Sequence, residues 1–143
     1  MIKNHTVVGF TCSSFDLLHA GHVLMLEECK RYCDYLIVGL QTDPTIDRPG
    51  VKNKPVQSVY ERQIQLRGCK YVDEIFVYDS ESDLMNMVTS LPIHVRFVGE
   101  EYRNKEFTGK KWCEDNQVRI HYNTRKHNFS TTELRKRSHL PNK

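Results

Sequence analysis

Residues 15–22 read Phe-Asp-Leu-Leu-His-Ala-Gly-His, and they stand where a strand pattern gives way to a helix pattern. Residues 6–11 before them are apolar and β-branched, whereas the residues after them carry apolar side chains at helical spacing. Residues three apart on a helix share one face, so we expect His19 and His22 to point together into the space above the strand end. Gly21 between them lets a ligand approach the main chain of the first helical turn.

Strand-like and helix-like segments alternate along the rest of the chain. Apolar runs predict five strands, at residues 6–11, 35–41, 74–78, 95–99 and 119–122. Ser58 and Ser130 are each followed three residues later by a glutamate, which predicts two helix starts with capping boxes, and further helices are expected over residues 83–91 and 110–116. This alternation predicts an α/β fold with a single doubly wound parallel sheet flanked by helices.

The composition fits one globular domain over residues 1–143, with 38% hydrophobic and 27% charged residues. No apolar run approaches the ~20 residues of a membrane span, and the first residues show no signal-peptide core, so we expect a soluble, cytoplasmic protein without membrane insertion. The five cysteines lack the paired spacing of a zinc ribbon or a disulfide framework. The net charge of +3 comes with no nucleic-acid-binding signature, which favours a small polyanion over nucleic acid as the partner.

Residues with useful chemistry cluster after the predicted strands. Ligands of doubly wound sheets bind beyond the carboxyl ends of the strands. The residues expected there are Ser13, Ser14, Phe15, Asp16, His19, Gly21, His22, Gly99, Glu100, Glu101, Arg125, Ser130 and Thr131. The long irregular segment 43–55, which we call the lysine loop, adds Lys52 and Lys54. A helix start with hydroxyl groups beside an arginine is typical of an anion site, so a phosphate group is the expected ligand.

These landmarks resemble those of the cytidylyltransferase-like nucleotidyltransferases, and most closely those of the small glycerol-3-phosphate cytidylyltransferases. The resemblance spans nearly the whole chain, and it rests on residues 15–22, 35–39, 42–43, 60–62, 71–74, 98–100, 125 and 129–132. It implies a Rossmann-like nucleotidyltransferase sheet of about five strands. It also implies a homodimer that catalyses the attack of a phosphate-bearing alcohol on the α-phosphate of a nucleoside triphosphate, with release of pyrophosphate.

The chemistry of such a reaction suits these residues. A phosphomonoester is already an anionic nucleophile at neutral pH, so the reaction needs charge neutralisation and in-line positioning rather than a strong base. We expect His19 and His22 to donate hydrogen bonds to the triphosphate, and one of the two lysines of the lysine loop to reach the phosphates. Arg125 and the helix start at residues 130–131 are expected to hold the leaving phosphates.

The resemblance also assigns residues to the acceptor and to the nucleoside. It implies that Arg62 and Lys70 bind the acceptor, and that the strand end at residues 99–101 lies near the base and ribose. Mg²⁺ is expected to arrive with the triphosphate, because this ion keeps water ligands and needs few protein groups. No protein metal site and no organic cofactor are expected, since the other histidines show no metal-ligand spacing.

The function predicted from the sequence is the transfer of CMP from CTP to a phospho-alcohol, with glycerol 3-phosphate as the first acceptor, to give a CDP-alcohol. One alternative is an adenylyltransferase of the same superfamily that uses ATP and a sugar-phosphate, flavin or pantetheine-type acceptor. Cytosine and adenine both carry an exocyclic amine, so a glutamate near the base does not distinguish them. The alternative from another class is a nucleotide-binding module without catalysis.

Overall fold

A parallel sheet of five strands lies between two layers of helices. The computed structural model describes residues 5–139. The strands are β1 (Val8–Ser13), β2 (Tyr35–Gln41), β3 (Glu74–Tyr78), β4 (Val95–Gly99) and β5 (Arg119–Asn123). All neighbouring pairs are parallel, in the order β3-β2-β1-β4-β5. The predicted doubly wound α/β fold is therefore confirmed.

Helices follow the strands as the sequence pattern predicts. They are α1 (Ala20–Arg31), α2 (Val59–Arg67), α3 (Glu81–Ser90), α4 (Lys110–Asp115) and α5 (Thr131–Ser138), with a 3₁₀ turn at Glu100–Tyr102. The predicted cap at Ser58 accepts a hydrogen bond from the N–H of Glu61, and Ser130 accepts one from the N–H of Glu133. Within residues 5–139, no helix combines the length and the apolar character needed to cross a bilayer.

Two predicted elements, β1 and α3, begin two residues away from their predicted starts, whereas the ends of α3, α4 and β5 differ from the prediction by one residue. β1 lies two residues later than the predicted segment at each end, because its ladder with β2 continues through the pairs Cys12–Gly39 and Ser13–Leu40. α3 begins at Glu81 rather than at residue 83, because Ser80 caps it by accepting from the N–H of Asp83. This shift carries Ser13 to the carboxyl edge of the sheet.

Apolar side chains bury both faces of the sheet. The face covered by α1 and α2, which we call the α1 face, holds a cluster that includes Phe15, Leu26, Leu36, Leu66 and Phe97. The opposite face, which we call the α3 face, holds a cluster that includes Phe10, Tyr78, Leu84, Val88 and Cys113. Side chains alternate along a strand, so Cys12 belongs to the α3 face and Ser13 to the α1 face.

The order of the strands marks the place for a ligand. From β1 the chain moves outward to β2 and β3, and it then returns to β4 on the other side of β1. Such a reversal leaves a crevice beyond the carboxyl ends of the two strands that flank it. Ser13 at the end of β1 and Gly99 at the end of β4 lie at this crevice.

Arg62 of α2 joins several segments at this edge. Its side chain is only 1% exposed. The guanidinium donates hydrogen bonds to the carbonyl oxygens of Ser14 at 2.9 Å, Gln41 at 2.6 Å and Thr42 at 2.6 Å, and its Nε donates to the carbonyl oxygen of Gln57 at 3.2 Å. These bonds hold the end of β2 and the beginning of the β1–α1 turn against α2.

We predict that Arg62→Met lowers the free energy of unfolding by about 3 kcal/mol or more, because each buried carbonyl left without a donor costs roughly 1–3 kcal/mol. Urea denaturation monitored by circular dichroism measures the change. Arg67→Met on the same helix removes an exposed guanidinium and is the matched control, expected to stay within about 0.5 kcal/mol of the unmodified protein. Equal losses in the two variants would contradict the structural role of Arg62.

Candidate active site

A cleft of about 810 Å³ opens over the carboxyl ends of β1 and β4. It gathers residues that the sequence predicted from opposite ends of the chain: Ser13, Ser14, His19, Gly21, His22, Lys52, Gly99, Glu101, Arg125, Ser130 and Thr131. Each of them follows a strand or opens a helix at the same edge of the sheet. The structure therefore brings most of the predicted site into one cavity.

The turn between β1 and α1 has an unusual backbone. Phe15 has φ 48° and Leu17 has φ 52°, values in the left-handed region that side chains other than glycine rarely adopt. The carboxylate of Asp16 between them accepts from the N–H groups of Val56 at 2.8 Å and Gln57 at 2.9 Å, and the N–H of Leu17 donates to Oε1 of Gln57 at 2.8 Å. These bonds hold the turn in the conformation that places His19 at the start of α1.

Main-chain hydrogen bonds fix both histidines in one tautomer. Nδ1 of His19 accepts from the N–H of Gly21 at 3.0 Å, and Nδ1 of His22 accepts from the N–H of His19 at 3.2 Å. A ring nitrogen that accepts a hydrogen bond carries no proton, so each neutral ring holds its proton on Nε2. The two rings are stacked, with centroids 3.9 Å apart. The cleft is thus lined by two adjacent Nε2–H donors.

Burial keeps these imidazoles uncharged. It lowers the pKa of His22 to about 4, the positive charge that His19 can carry lowers it further, and the carboxylate of Asp16 opposes the change. Burial also lowers the pKa of His19, with added repulsion from His127 and Arg125. At pH 7 both rings are neutral hydrogen-bond donors rather than proton donors.

Gly21 is packed between two imidazole rings. A Cβ atom at this position would lie 2.8 Å from Cε1 of His19 and 2.9 Å from Cε1 of His127. His127 lines the cleft, and its Nδ1 accepts from the N–H of Phe129 at 3.1 Å, so it also presents an Nε2–H donor when neutral. His127 was not among the site residues predicted from the sequence, although its position two residues after Arg125 was a usable signal.

The segment after β5 forms the opposite wall of the cleft. Arg125 donates to the carbonyl oxygen of Phe129 at 3.0 Å, which closes the segment into a compact loop before α5. Oγ1 of Thr131 donates to the carbonyl oxygen of Asp16 at 3.3 Å, and Arg135 pairs with the Asp16 carboxylate at 3.0 Å. The N-terminus of α5 is therefore docked on the turn that carries the histidines.

Glu28 of α1 positions the beginning of this wall, and the sequence analysis missed it. Its buried carboxylate accepts from Nε2 of His121 at 2.8 Å, from Nδ2 of Asn123 at 3.1 Å and from Oγ1 of Thr124 at 2.8 Å. Burial by itself raises the pKa of this carboxyl, but the bonds from His121 and Thr124 outweigh it and lower the pKa. Glu28 thus fixes the end of β5 at Asn123 and also Thr124, the residue directly before Arg125.

Some predicted site residues lie outside the cleft. The guanidinium of Arg62 is buried and donates to main-chain carbonyl oxygens, so the structure does not direct it toward the position of an acceptor substrate. Lys70 is exposed on another surface, with Nζ 5.2 Å from the centroid of the Tyr71 ring. Lys52 lines the cleft, whereas Lys54 does not. Three further predicted residues support or border the cleft without lining it: Phe15, Asp16 and Glu100.

The α3 side of the cleft contains charged residues that the sequence analysis did not select. Arg48 of the lysine loop pairs with Glu81 at 3.3 Å, and Arg96 of β4 is only 3% exposed. A single arginine within an apolar strand pattern gave no sign that its side chain would reach the cleft. In the part of the chain that the structure describes, no group of three or more His, Cys, Asp or Glu side chains is arranged to hold a metal ion.

Comparison with known proteins identifies the family. The sequence profile of the cytidylyltransferase-like family matches residues 10–137. The chain belongs to this family. This cytidylyltransferase-like chain is 35% identical over 107 residues to the bifunctional protein HldE of Campylobacter concisus, covering 75% of this chain and 22% of HldE. It is 35% identical over 132 residues to HldE of Rhodospirillum rubrum, covering 92% of this chain and 26% of that protein. It thus spans about a quarter of the length of these relatives.

Solved structures share the fold of this cytidylyltransferase-like chain. The lipopolysaccharide core biosynthesis protein from Thermoplasma volcanium superimposes with a TM-score of 0.69 at 24% identity, over 85% of this chain and 99% of that chain. Pantothenate synthetase from Thermus thermophilus superimposes with a TM-score of 0.58 at 12% identity, over 81% of this chain and 54% of that chain. These likenesses confirm the predicted Rossmann-like nucleotidyltransferase fold.

The lowered pKa of His22 predicts a stability change in acid. The folded-state pKa of about 4 lies below the ordinary value of 6.5, so the unfolded chain takes up the proton first as the pH falls. The contribution of His22 to the free energy of unfolding is complete above pH 6.5, and it is lost between pH 6.5 and pH 4, by up to roughly 3 kcal/mol in total. Urea denaturation at pH 7 and pH 5 measures the change.

His22→Asn is the matched variant for this experiment, because the asparagine Oδ1 takes the place of the accepting Nδ1 while the titrating group is removed. We expect the variant to lose less stability between pH 7 and pH 5 than the unmodified protein does. The histidines that do not interact with His22 contribute equally in both proteins and cancel in the comparison, and His19 loses the repulsion from His22 in the variant, which changes the difference in the same direction. The same loss in both would show that His22 does not titrate with a lowered pKa.

Proposed function

We propose that the protein transfers a nucleotidyl group from a nucleoside triphosphate to a phosphorylated sugar and releases pyrophosphate, with ATP as the preferred donor. The observation that carries the proposal is the pair of neutral histidines, His19 and His22, whose Nε2–H groups line the cleft. Membership of the cytidylyltransferase-like family supports nucleotidyl transfer. The kinship with HldE proteins over 75% and 92% of the chain favours adenylyl transfer to a sugar phosphate over cytidylyl transfer to glycerol 3-phosphate.

In this mechanism the acceptor phosphate attacks the α-phosphorus of the triphosphate. The bond from the α-phosphorus to the bridging oxygen of pyrophosphate breaks on the opposite side. Negative charge grows on the α-phosphate oxygens and on that bridging oxygen during the reaction. Neutral Nε2–H donors stabilise this charge without having to lose a proton first, and their fixed orientation means that little reorganisation is needed. The triphosphate is taken as its Mg²⁺ complex, in which the metal keeps water ligands.

The leaving pyrophosphate faces the wall formed by the segment after β5. Arg125 and the N-terminus of α5 at Ser130 and Thr131 line this wall, and they supply a guanidinium and main-chain N–H donors for phosphate oxygens. His127 stands beside Gly21 at the same wall and adds a third imidazole. Lys52 approaches from the lysine loop and adds a positive charge. We propose that these groups bind the β- and γ-phosphates of the triphosphate.

The homodimer and the cytoplasmic location stay predictions. The resemblance implies the homodimer, and the exposed apolar side chains of α1 and α2 are the surface that we propose for the contact. These side chains include Leu24, Tyr60 and Ile64. Burial of such a surface in a second copy would remove apolar area from water.

Pyrophosphate release tests the proposed reaction. The protein is mixed with Mg²⁺ and either ATP or CTP, and with a panel of aldose phosphates or glycerol 3-phosphate. We expect the fastest release with ATP and an aldose phosphate. Faster release with CTP and glycerol 3-phosphate would support the narrower function predicted from the sequence. Release that never exceeds that of a His19→Asn, His22→Asn double variant would contradict nucleotidyl transfer and favour a binding module.

The single variants His19→Asn and His22→Asn separate catalysis from folding. In each, the Oδ1 atom replaces the accepting Nδ1 and keeps the main-chain hydrogen bond, but the Nε2–H donor is lost. We expect turnover to fall by on the order of 10² or more, as for the loss of a transition-state donor, with little change in the urea midpoint. Steady-state kinetics of both variants measure the loss. Full turnover in either variant would remove that histidine from the mechanism.

Lys52 and Lys54 form a matched pair of variants within one loop. Lys52→Ala removes a charge that lines the cleft, whereas Lys54→Ala removes one that does not. We expect Lys52→Ala to reduce kcat/KM for the triphosphate by about tenfold or more, because a tenfold change corresponds to about 1.4 kcal/mol, the order expected for one charge-assisted contact. Lys54→Ala is expected to have a smaller effect. A larger loss in Lys54→Ala would assign the phosphate contact to the other lysine.

A further inference from the structure

Arg96 of β4 is a buried cation whose donors are only partly used. Its NH1 donates to the carbonyl oxygen of Thr108 at 2.9 Å, and its NH2 makes only a weak contact with Sγ of Cys12 at 3.6 Å. Its Nε has no hydrogen-bond partner. Among residues 5–139, no acidic side chain forms an ion pair with Arg96. A buried charge without a counter-ion is costly, so this arrangement calls for an anion from outside the chain.

Arg62 shows that this protein can bury an arginine without leaving a donor free. Its Nε and both terminal nitrogens all donate to carbonyl oxygens at 2.6–3.2 Å. Arg62 therefore has a structural role and offers nothing to a ligand. Arg96 is nearly as buried, at 3% exposure against 1%, yet its Nε is unpaired and the residue lines the cleft.

Two aromatic rings pack near the Arg96 guanidinium. Its Cζ lies 5.5 Å from the centroid of Phe10 and 5.3 Å from the centroid of Phe107. Such rings attract the faces of a guanidinium, but they provide no acceptor for the N–H groups in its plane. The ring contacts therefore help to hold the group in place without satisfying its unpaired Nε–H, which leaves this donor for an oxyanion. A planar arginine edge suits carboxylate and phosphate groups.

Arg96 serves a different side of the cleft from the histidines. It pairs with Phe10 in the sheet and reaches Cys12, so it approaches from the α3 face. His19 caps α1 and His22 lies in its first turn, and this helix covers the opposite face. In the proposed reaction the attacking phosphate of the acceptor lies near the histidines. Because Arg96 approaches from the other face, it is placed to contact a second group of the acceptor.

Polar groups beside Arg96 suit a hydroxylated ligand. The Glu81 carboxylate accepts from Oγ1 of Thr108 at 2.9 Å and pairs with Arg48, and both Glu81 and Arg48 line the cleft. Burial raises the pKa of the Tyr78 hydroxyl, which therefore stays protonated. Carboxylate, hydroxyl and guanidinium groups together can bind the hydroxyl groups of a sugar.

We propose that Arg96 forms an anion subsite on the α3 face of the cleft, which binds a second oxyanion of the acceptor, a carboxylate or a second phosphate, distinct from the phosphate that attacks. This inference rests on the proposed function for the identity of the ligand as the acceptor. It makes the acceptor a sugar phosphate with a further acidic group. The binding of an oxyanion at Arg96 is itself independent of turnover.

Nitrogen-15 NMR of the unmodified protein tests the subsite directly. The Nε–H resonance of Arg96, assigned by its loss in Arg96→Met, is followed during titration with malonate and, separately, with inorganic phosphate at constant ionic strength. The titrations are run with and without Mg²⁺ and a non-hydrolysable ATP analogue, which occupies the triphosphate wall. We expect a saturable shift that persists with the analogue present. The anion that saturates at the lower concentration identifies the acidic group, and no saturable shift with either anion overturns the subsite.

Thermal shift of two arginine variants provides the second measurement. Arg96→Met keeps an apolar stem between the two rings, and Arg119→Met removes an exposed arginine from the amino end of β5 as the control. We expect the rise in Tm caused by the better anion to be lost in Arg96→Met and kept in Arg119→Met. An equal rise in both variants overturns the proposal. If Arg96→Met does not fold, the Nε–H resonance is assigned by Arg96→Lys and the titration of the unmodified protein decides.

Kinetics connect the subsite to the reaction. With the best acceptor from the pyrophosphate assay, Arg96→Met is expected to raise KM for the acceptor about tenfold or more and to leave KM for the triphosphate unchanged. A rise in KM for the triphosphate alone would place Arg96 on the donor and overturn the assignment to the acceptor. An assay with no turnover would contradict the proposed function, whereas the NMR result would still decide whether Arg96 binds an oxyanion.

Discussion

The carboxylate of Asp16 is the contact on which the geometry of the cleft depends. It is 6% exposed, and it accepts from the main-chain N–H groups of Val56 and Gln57 and from the guanidinium of Arg135. Its own carbonyl oxygen accepts from Thr131. One buried side chain therefore joins the β1–α1 turn, the segment just after the lysine loop, and α5. Bonds to an ionised acceptor are stronger than neutral ones, so this junction resists rearrangement. Asp16 acts by positioning the groups that line the cleft.

The histidine tautomers follow from this junction through the backbone. The positive φ angles of Phe15 and Leu17 cost energy, and they persist because the bonds around Asp16 and Gln57 hold the turn. The turn delivers the N–H groups of His19 and Gly21 to two imidazole Nδ1 atoms, which leaves the protons on Nε2. Burial then keeps the rings neutral. Donor direction and charge are thus set by the fold before any ligand binds, which is the preorganisation that electrostatic catalysis requires.

Sequence patterns were sufficient where a local rule decides the structure. The bounds of β2, β3 and β4 were predicted to the residue, because apolar runs between clear turn signals leave little choice. The His19 and His22 pair was found because helical spacing is local. Local patterns did not reveal Glu28 or Arg96, or the carbonyl oxygens that occupy Arg62, because these contacts depend on partners brought together across the sheet. The choice between Lys52 and Lys54 also depends on the path of an irregular loop, which no periodicity describes.

The two buried arginines show why function has to be argued from the site rather than from the fold. Arg62 and Arg96 both come from regular elements and both are almost fully buried, yet of the two only Arg96 has an unpaired donor, its Nε, and only Arg96 lines the cleft. The α1 side supplies neutral donors and positive charge suited to phosphate chemistry. The α3 side supplies Arg96, Glu81 and Arg48, which line the cleft away from the histidines and which we assign to recognition of the acceptor.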